Sequence, residues 1–225
     1  MIQQLNDDFA IYGAQHFKGA LLQDLVDMEA SLANAPHDEA GVRLQGMEGL
    51  RPFLSSQGCL GAIAASVLGE SVRPVRAILF NKSPETNWSL TWHQDRTICV
   101  KERLEVPGFG PWTVKKGMHH VAPPFELLER MVTLRAHLDD VPATNAPLLI
   151  APGSHTFGRI PVGKVDGIVR RCGTAICVAE AGDAWLYSTP ILHASEAASA
   201  PNRRRVLQID FSTDALPGGL EWLGV

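Results

Sequence analysis

The segment Thr91-Trp92-His93-Gln94-Asp95 places an imidazole and a carboxylate two residues apart. Successive side chains of an extended strand alternate faces, so His93 and Asp95 share one side while Trp92 and Gln94 take the other. Together they offer two ligands to a divalent metal. A third must come from elsewhere, and His193 in Pro190-Ile191-Leu192-His193 is the best candidate. Two histidines and a carboxylate on one face of an octahedron leave three positions open, as in non-haem Fe(II) oxygenases. A His-x-Asp pair alone is a weak signal, because the chain has eight histidines. His16, His37, His137 and His155 read as structural or exposed; His119 and His120 could line a pocket, but as neighbours in an extended stretch they should point apart.

A second signal is Arg203-Arg204-Arg205, which runs into Val206-Leu207-Gln208-Ile209-Asp210-Phe211. Alternation puts Arg204, Val206, Gln208 and Asp210 on one face, and Leu207, Ile209 and Phe211 on the other. An arginine in the polar interior of a barrel needs an anionic partner. A dicarboxylate co-substrate suits it, because the guanidinium fork pairs bidentately with carboxylate. Arg203 and Arg205 should then point to solvent or to an exposed acid. Ala151-Pro152-Gly153-Ser154-His155 reads as a turn.

These residues need a scaffold that holds several strands side by side. The first 35 residues read as helical, and apolar residues at helical spacing predict a helix over 17–32, with Leu21, Leu22, Leu25, Met28 and Leu32 as its stripe. A second helix is predicted between Gly58 and Gly69. After that, seven short apolar runs with turn signals between them predict strands in a β-sandwich or barrel: 75–80, 90–99, 131–138, 148–151, 175–178, 184–187 and 204–211. Residues 106–125 read as one long irregular insertion rich in Gly, Pro, Lys and His, and a loop of that length is usually functional. Trp112, Lys115, Lys116 and His119 could meet a substrate there. Arg43, in the extended stretch 41–45, is a further candidate for an anionic substrate.

The chain has 225 residues, with 45% hydrophobic and 20% charged. That composition excludes global disorder and fits one domain with a helical part over about 1–70 and a barrel over about 75–212. A net charge of -4 gives no electrostatic footprint for nucleic acid or an anionic membrane. There is neither a signal-peptide pattern nor an apolar run of membrane-spanning length, so a cytoplasmic protein is expected. Cys59, Cys99, Cys172 and Cys177 form no Cys-x-x-Cys pair and read as buried thiols.

Taken in order, several segments resemble the phytanoyl-CoA dioxygenase family of Fe(II)/2-oxoglutarate oxygenases. They are WHQD at 92–95, HLDD at 137–140, Asn145 followed by PLLIAPGSH at 147–155, AGDAWLY at 181–187, LHAS at 192–195 and RRVLQIDF at 204–211. The resemblance implies a mainly β fold: a double-stranded β-helix, or cupin-like jelly roll, with flanking N-terminal helices. It implies His93, Asp95 and His193 as catalytic iron ligands, and Arg204 for the distal carboxylate of 2-oxoglutarate. Ser195 would lie near that carboxylate, and Arg135 would line the co-substrate site. Where the family usually has Asn-Gly, this chain has Asn145-Ala146, which suggests a different turn. Asp95 fills the position that halogenating relatives leave for chloride, so hydroxylation of a C–H bond is expected. Iron and 2-oxoglutarate would supply the chemistry with dioxygen, giving succinate and CO2, while the protein orients a small-molecule substrate.

Two other readings use the same barrel. A cupin-like metalloenzyme without 2-oxoglutarate would leave Arg204 without a partner. A sensor or binding protein would not need a metal with open positions. The substrate and the oligomeric state are not readable, and no dedicated nucleotide-binding motif points to a CoA thioester.

Overall fold

The computed structural model describes residues 9–36 and 39–225, so His37 lies outside the described residues. Its strands are β1 (Ala14–Phe17), β2 (Gly41–Leu44), β3 (Arg73–Lys82), β4 (Leu90–His93), β5 (Ile98–Val100), β6 (Trp112–Lys115), β7 (Met118–Val121), β8 (Val132–His137), β9 (Leu148–Ile150), β10 (Ala175–Cys177), β11 (Ala184–Ser188), β12 (His193–Ser195) and β13 (Arg204–Ser212). The helices are α1 (Phe9–Tyr12), α2 (Leu25–Ser31), α3 (Arg51–Leu54), α4 (Cys59–Leu68), α5 (Phe125–Glu129) and α6 (Val165–Cys172). No described helix is long and apolar enough to cross a membrane. All four cysteines are free thiols, but only Cys99 and Cys177 are buried, while Cys59 and Cys172 are partly exposed.

The fold is a jelly roll. A six-stranded antiparallel sheet in the order β1-β11-β8-β13-β3-β2 stands against a four-stranded sheet in the order β10-β9-β12-β4. Period-2 alternation sorts the large sheet. Leu207, Ile209 and Phe211 of β13, Leu134 and Ala136 of β8 and Leu186 of β11 enter one apolar core with Met28 of α2 and Leu60, Ile63 and Ala64 of α4. The N-terminal helices therefore cover the outer face of this sheet. The inner face carries Arg76, Arg135, Gln208 and Arg204, which line a cavity together with Leu148 and His193 from the smaller sheet.

The predicted α4 matches the structure, beginning after Gly58 and ending before Gly69. The helix predicted over 17–32 is shorter and starts later. Residues 14–17 instead pair with β11 as an edge strand. The chain then turns through Gly19 at φ +64, whose N–H donates to Asp183 Oδ1 at 2.7 Å. That left-handed residue breaks the helical reading, and Leu22, assigned to the apolar stripe, is exposed. The strand predicted over 90–99 is two strands, because the chain leaves β4 after His93.

The 106–125 insertion is not irregular. It holds the β6–β7 hairpin, which joins β5 in a third sheet. Lys116 (φ +49) and Gly117 (φ +78) make its two-residue turn, where both residues need positive φ. The Lys116 ammonium pairs with Glu39, which clips the hairpin tip to the approach of β2.

Candidate metal centre

Strands β4 and β12 are antiparallel neighbours with His93 directly opposite His193. This register brings together two residues a hundred positions apart in sequence, with ring centroids 4.2 Å apart. Asp95 lies beyond the end of β4, and Gln94 returns the chain to the site. Its amide donates to Gly158 O at 2.9 Å and Pro190 O at 2.8 Å, and its Oε1 accepts from Ile160 N at 2.9 Å. With Gln94 pinned on one side, Asp95 falls on the other. One ligand atom from each of His93, Asp95 and His193 then lies within 4.8 Å of the others.

The donor chemistry fits a divalent metal. Nδ1 of His93 lies 2.8 Å from Thr91 O, and Nδ1 of His193 lies 3.0 Å from Ile191 O. A carbonyl oxygen only accepts, so each Nδ1 carries the proton and each Nε2 presents a free lone pair. Such partners fix the tautomer and ring orientation of metal-binding histidines. Burial pushes the His193 ring down to about 4, so it stays neutral at ordinary pH. Burial alone would raise Asp95, but Arg76 and the two histidines outweigh it and hold the carboxyl below its usual range.

Arg76 and Asp210 were not singled out from sequence. Arg76 Nε donates to Asp210 Oδ2 at 2.5 Å, and its Nη2 stands 3.6 Å from Asp95 Oδ2. Thr133 donates to the other Asp210 oxygen at 3.1 Å. The two partners sit across the β3–β13 ladder, so the pairing register makes this contact.

At the far end of the same cavity, Arg204 is 2% exposed, and its Nη1 donates to Ala146 O at 2.7 Å. Its Nε is buried without an acceptor. Opposite it on β3 is Lys82, also not anticipated. Lys82 donates to Trp88 O at 2.6 Å and to Ser195 Oγ at 3.3 Å. Ser195 is buried and donates to Ala146 O at 3.4 Å. Arg135 is buried two strands away, with Nη1 donating to Gln208 Oε1 at 3.3 Å. None of Arg204, Lys82 and Arg135 is in an ion pair among the described residues. Burial, then Arg204 and Arg135, lower Lys82 to about 8.

Arg203 and Arg205 instead both pair with Asp139, and Arg205 also with Glu29. Asp139 is partly buried rather than exposed. Ala146, at the departure from Asn-Gly, holds φ +51, and its carbonyl is the one that Arg204 and Ser195 reach. Within the insertion, Lys115 and His120 line the cavity. Trp112 packs in an apolar cluster and Lys116 forms the clip. His119 is not among the cavity residues.

The family model for phytanoyl-CoA dioxygenase (PhyH) matches residues 53–206. No curated protein sequence matches the chain. Among solved structures, the chain is similar to the non-heme alpha ketoglutarate dependent epimerase SnoN from nogalamycin biosynthesis. That match has 16% identity and TM-score 0.64, covering 94% of this chain and 87% of that one. It is also similar to EctD from S. alaskensis, at 17% identity and TM-score 0.65, covering 100% and 84%. HygX from Streptomyces hygroscopicus, solved with nickel and 2-oxoglutarate, matches at 13% identity and TM-score 0.61, covering 91% and 84%. Such distant likenesses show the fold. The family match spans most of the chain, which therefore belongs to the phytanoyl-CoA dioxygenase family.

Proposed function

We propose that this member of the phytanoyl-CoA dioxygenase family is an Fe(II)- and 2-oxoglutarate-dependent oxygenase that hydroxylates a C–H bond of a small molecule, with the whole chain acting as one unit. One observation carries this reading. A single cavity joins a cluster of two imidazoles and one carboxylate to a buried group of cations that has no acidic partner among the described residues. The relatives SnoN and HygX have been solved with iron, and SnoN, EctD and HygX with 2-oxoglutarate or alpha ketoglutarate.

His93, Asp95 and His193 would hold the iron. When bound, iron with 2-oxoglutarate supplies dioxygen activation coupled to formation of succinate and CO2. Arg204 would take the distal carboxylate of 2-oxoglutarate by charge-assisted hydrogen bonds, with Lys82 and Ser195 beside it. Arg135 would line the same end. The Asp95 carboxylate offsets part of the metal charge, and Arg76 keeps it ionised and oriented. Phe80 and Trp88 wall the cavity and limit water there. Its volume of about 230 Å³ is below the ~300–1,000 Å³ common for drug-sized ligands, so only a small molecule, or the end of one, fits inside.

Anaerobic titration of Fe(II)-loaded protein with 2-oxoglutarate tests the reading, followed by a metabolite screen for substrate-stimulated succinate release in air. Absence of succinate with every substrate that turns over would favour a cupin-like enzyme without 2-oxoglutarate. Labelled dioxygen separates hydroxylation from the epimerisation named for SnoN. A hydroxylase places one labelled atom in the product, and an epimerase places none.

A further inference from the structure

We propose that the mouth of this cavity binds an anionic group of the substrate through Arg43 and Lys115, so that the substrate is a small organic anion bearing a carboxylate or phosphate. The inference deepens the oxygenase reading and rests on it for the identity of the reacting end.

Arg43 lies on the edge strand β2, directly across from Ile78 of β3. Ile78 in turn faces Gln208, and Gln208 faces Arg135, so Arg43 ends a row that crosses the inner face of the sheet. At ~3.3 Å per residue, that row lies about 7 Å along the strands from Arg76 at the metal end, and about 13 Å from Lys82 and Arg204. Arg43 thus lies nearer to Arg76 than to the Lys82–Arg204 row, at the opposite edge of the sheet's inner face from Arg135, which shares its row. Lys115 reaches the cavity from β6. The Lys116–Glu39 ion pair joins that hairpin to the β2 approach, so the two elements that carry these cations lie side by side.

Neither cation meets an acid among the described residues. Arg43 Nε is buried without an acceptor. Neither Arg43 nor Lys115 is in an ion pair among the described residues. Asp95 is the one acid among the residues lining the cavity, and it faces Arg76 and the metal position. His120 offers nothing to an anion. Its Nδ1 donates to Met118 O at 3.1 Å, and its Nε2 accepts from the Cys99 thiol at 2.9 Å. It lines the cavity as a neutral group.

Charge accounting leads to the same place. A metal dication and 2-oxoglutarate would cancel one another, and Asp95 and Asp210 answer Arg76. Arg135, Arg204, Lys82, Arg43 and Lys115 then leave a positive excess, and Arg43 and Lys115 are its members farthest from the Arg204 end. Cations gathered in a cavity with low-dielectric walls concentrate anions there.

The test uses phenyl phosphate, benzoate and benzyl alcohol as probes of one shape and differing charge. Their binding is measured by calorimetry on metal-free protein and on anaerobic protein loaded with Fe(II) and 2-oxoglutarate, which fills the Arg204 end. At least one anion should bind about tenfold tighter than the alcohol, as a charge-assisted pair allows. Arg43→Ala should remove roughly tenfold of that preference, Lys115→Ala about threefold, and Arg43→Lys should keep most of it. Affinity for 2-oxoglutarate should stay within about twofold in all three variants, which also reports that they fold. Equal binding of alcohol and anions overturns the proposal. So does a preference that survives Arg43→Ala/Lys115→Ala, or one that depends on Arg204 instead. If 2-oxoglutarate fails to bind the Fe(II)-loaded protein while the Arg43-dependent preference persists without metal, the oxygenase reading falls and the anion site stands.

Discussion

The two ends of the cavity treat charge in opposite ways. At the metal end, Arg76 is answered by Asp210 at 2.5 Å and by Asp95 at 3.6 Å, and Thr133 completes Asp210. At the other end, Arg204, Lys82 and Arg135 crowd together and meet only neutral oxygens. Both arrangements are buried, so both would be costly without compensation. The first is compensated inside the protein and holds shape. The second is left for a ligand to compensate. Side chains that serve structure are therefore those whose partners are already present, and side chains that serve binding are those whose partners are missing.

The largest expected effect breaks the metal end outright. Changing the outer partners of a metal ligand costs about 10–100-fold in affinity or activity, so losing a ligand should cost at least about 100-fold. His93→Ala and His193→Ala should each abolish turnover and lose iron, as metal analysis of the purified variants would show. The circular dichroism spectrum should be unchanged. Iron content near wild type in either variant would remove that residue from the ligand set. Asp95→Gly should likewise end hydroxylation, and an unchanged rate would refute its role.

Arg76 separates structure from binding. Removing one partner of a buried ion pair costs about 3–5 kcal/mol, because the other charge is stranded. Arg76→Met should therefore lower stability in urea unfolding by about that amount, while Arg76→Met/Asp210→Leu should recover much of it. Arg204→Ala should behave in the opposite way. No carboxylate is stranded, so the ligand-free protein should change little or become more stable. The KM for 2-oxoglutarate should rise roughly 30-fold or more, from a loss of ~2 kcal/mol or above. Arg205→Ala, whose partners are Asp139 and Glu29, should alter that KM by less than about fivefold. A large KM effect at Arg205 with a small one at Arg204 would mean that the wrong face of β13 had been assigned to the ligand.

The contrast also explains which parts of the site were legible in the sequence. His93 and Arg204 lie inside regular strands, where period-2 alternation already assigns a face. Ser154 stayed a turn residue, and its job is structural: its Oγ accepts from Leu192 N at 2.8 Å, just before His193. Arg76 and Lys82 share the Arg76-Ile78-Phe80-Lys82 face of β3, but that face has meaning only once β3 pairs with β13. Their partners, Asp210 and Arg204, lie more than a hundred residues away. The same non-local pairing hid β1 inside an apparent helix and a hairpin inside an apparent loop. The strand core was readable because its signal is local, and the charge pairing was not because it depends on register.

Lys82 gives the smallest effect and the finest test of the unbalanced end. Burial and the neighbouring Arg204 and Arg135 lower it from 10.5 to about 8. Below pH 8 Lys82 is an ammonium that attracts the distal carboxylate, and above pH 8 the free protein loses that charge. Affinity for 2-oxoglutarate should thus weaken by up to about tenfold between pH 8 and 9, since binding must then recover a proton. Stability of the ligand-free protein should move the other way. The folded form holds fewer protons on Lys82 than the unfolded chain between pH 8 and 10.5, so this residue's penalty is full below pH 8 and fades as pH rises through that window. Lys82→Met should flatten both trends, with a KM near the high-pH value of the wild type throughout. Parallel trends in wild type and Lys82→Met would show that the lysine carries no charge toward the co-substrate, leaving Arg204 to hold the carboxylate alone.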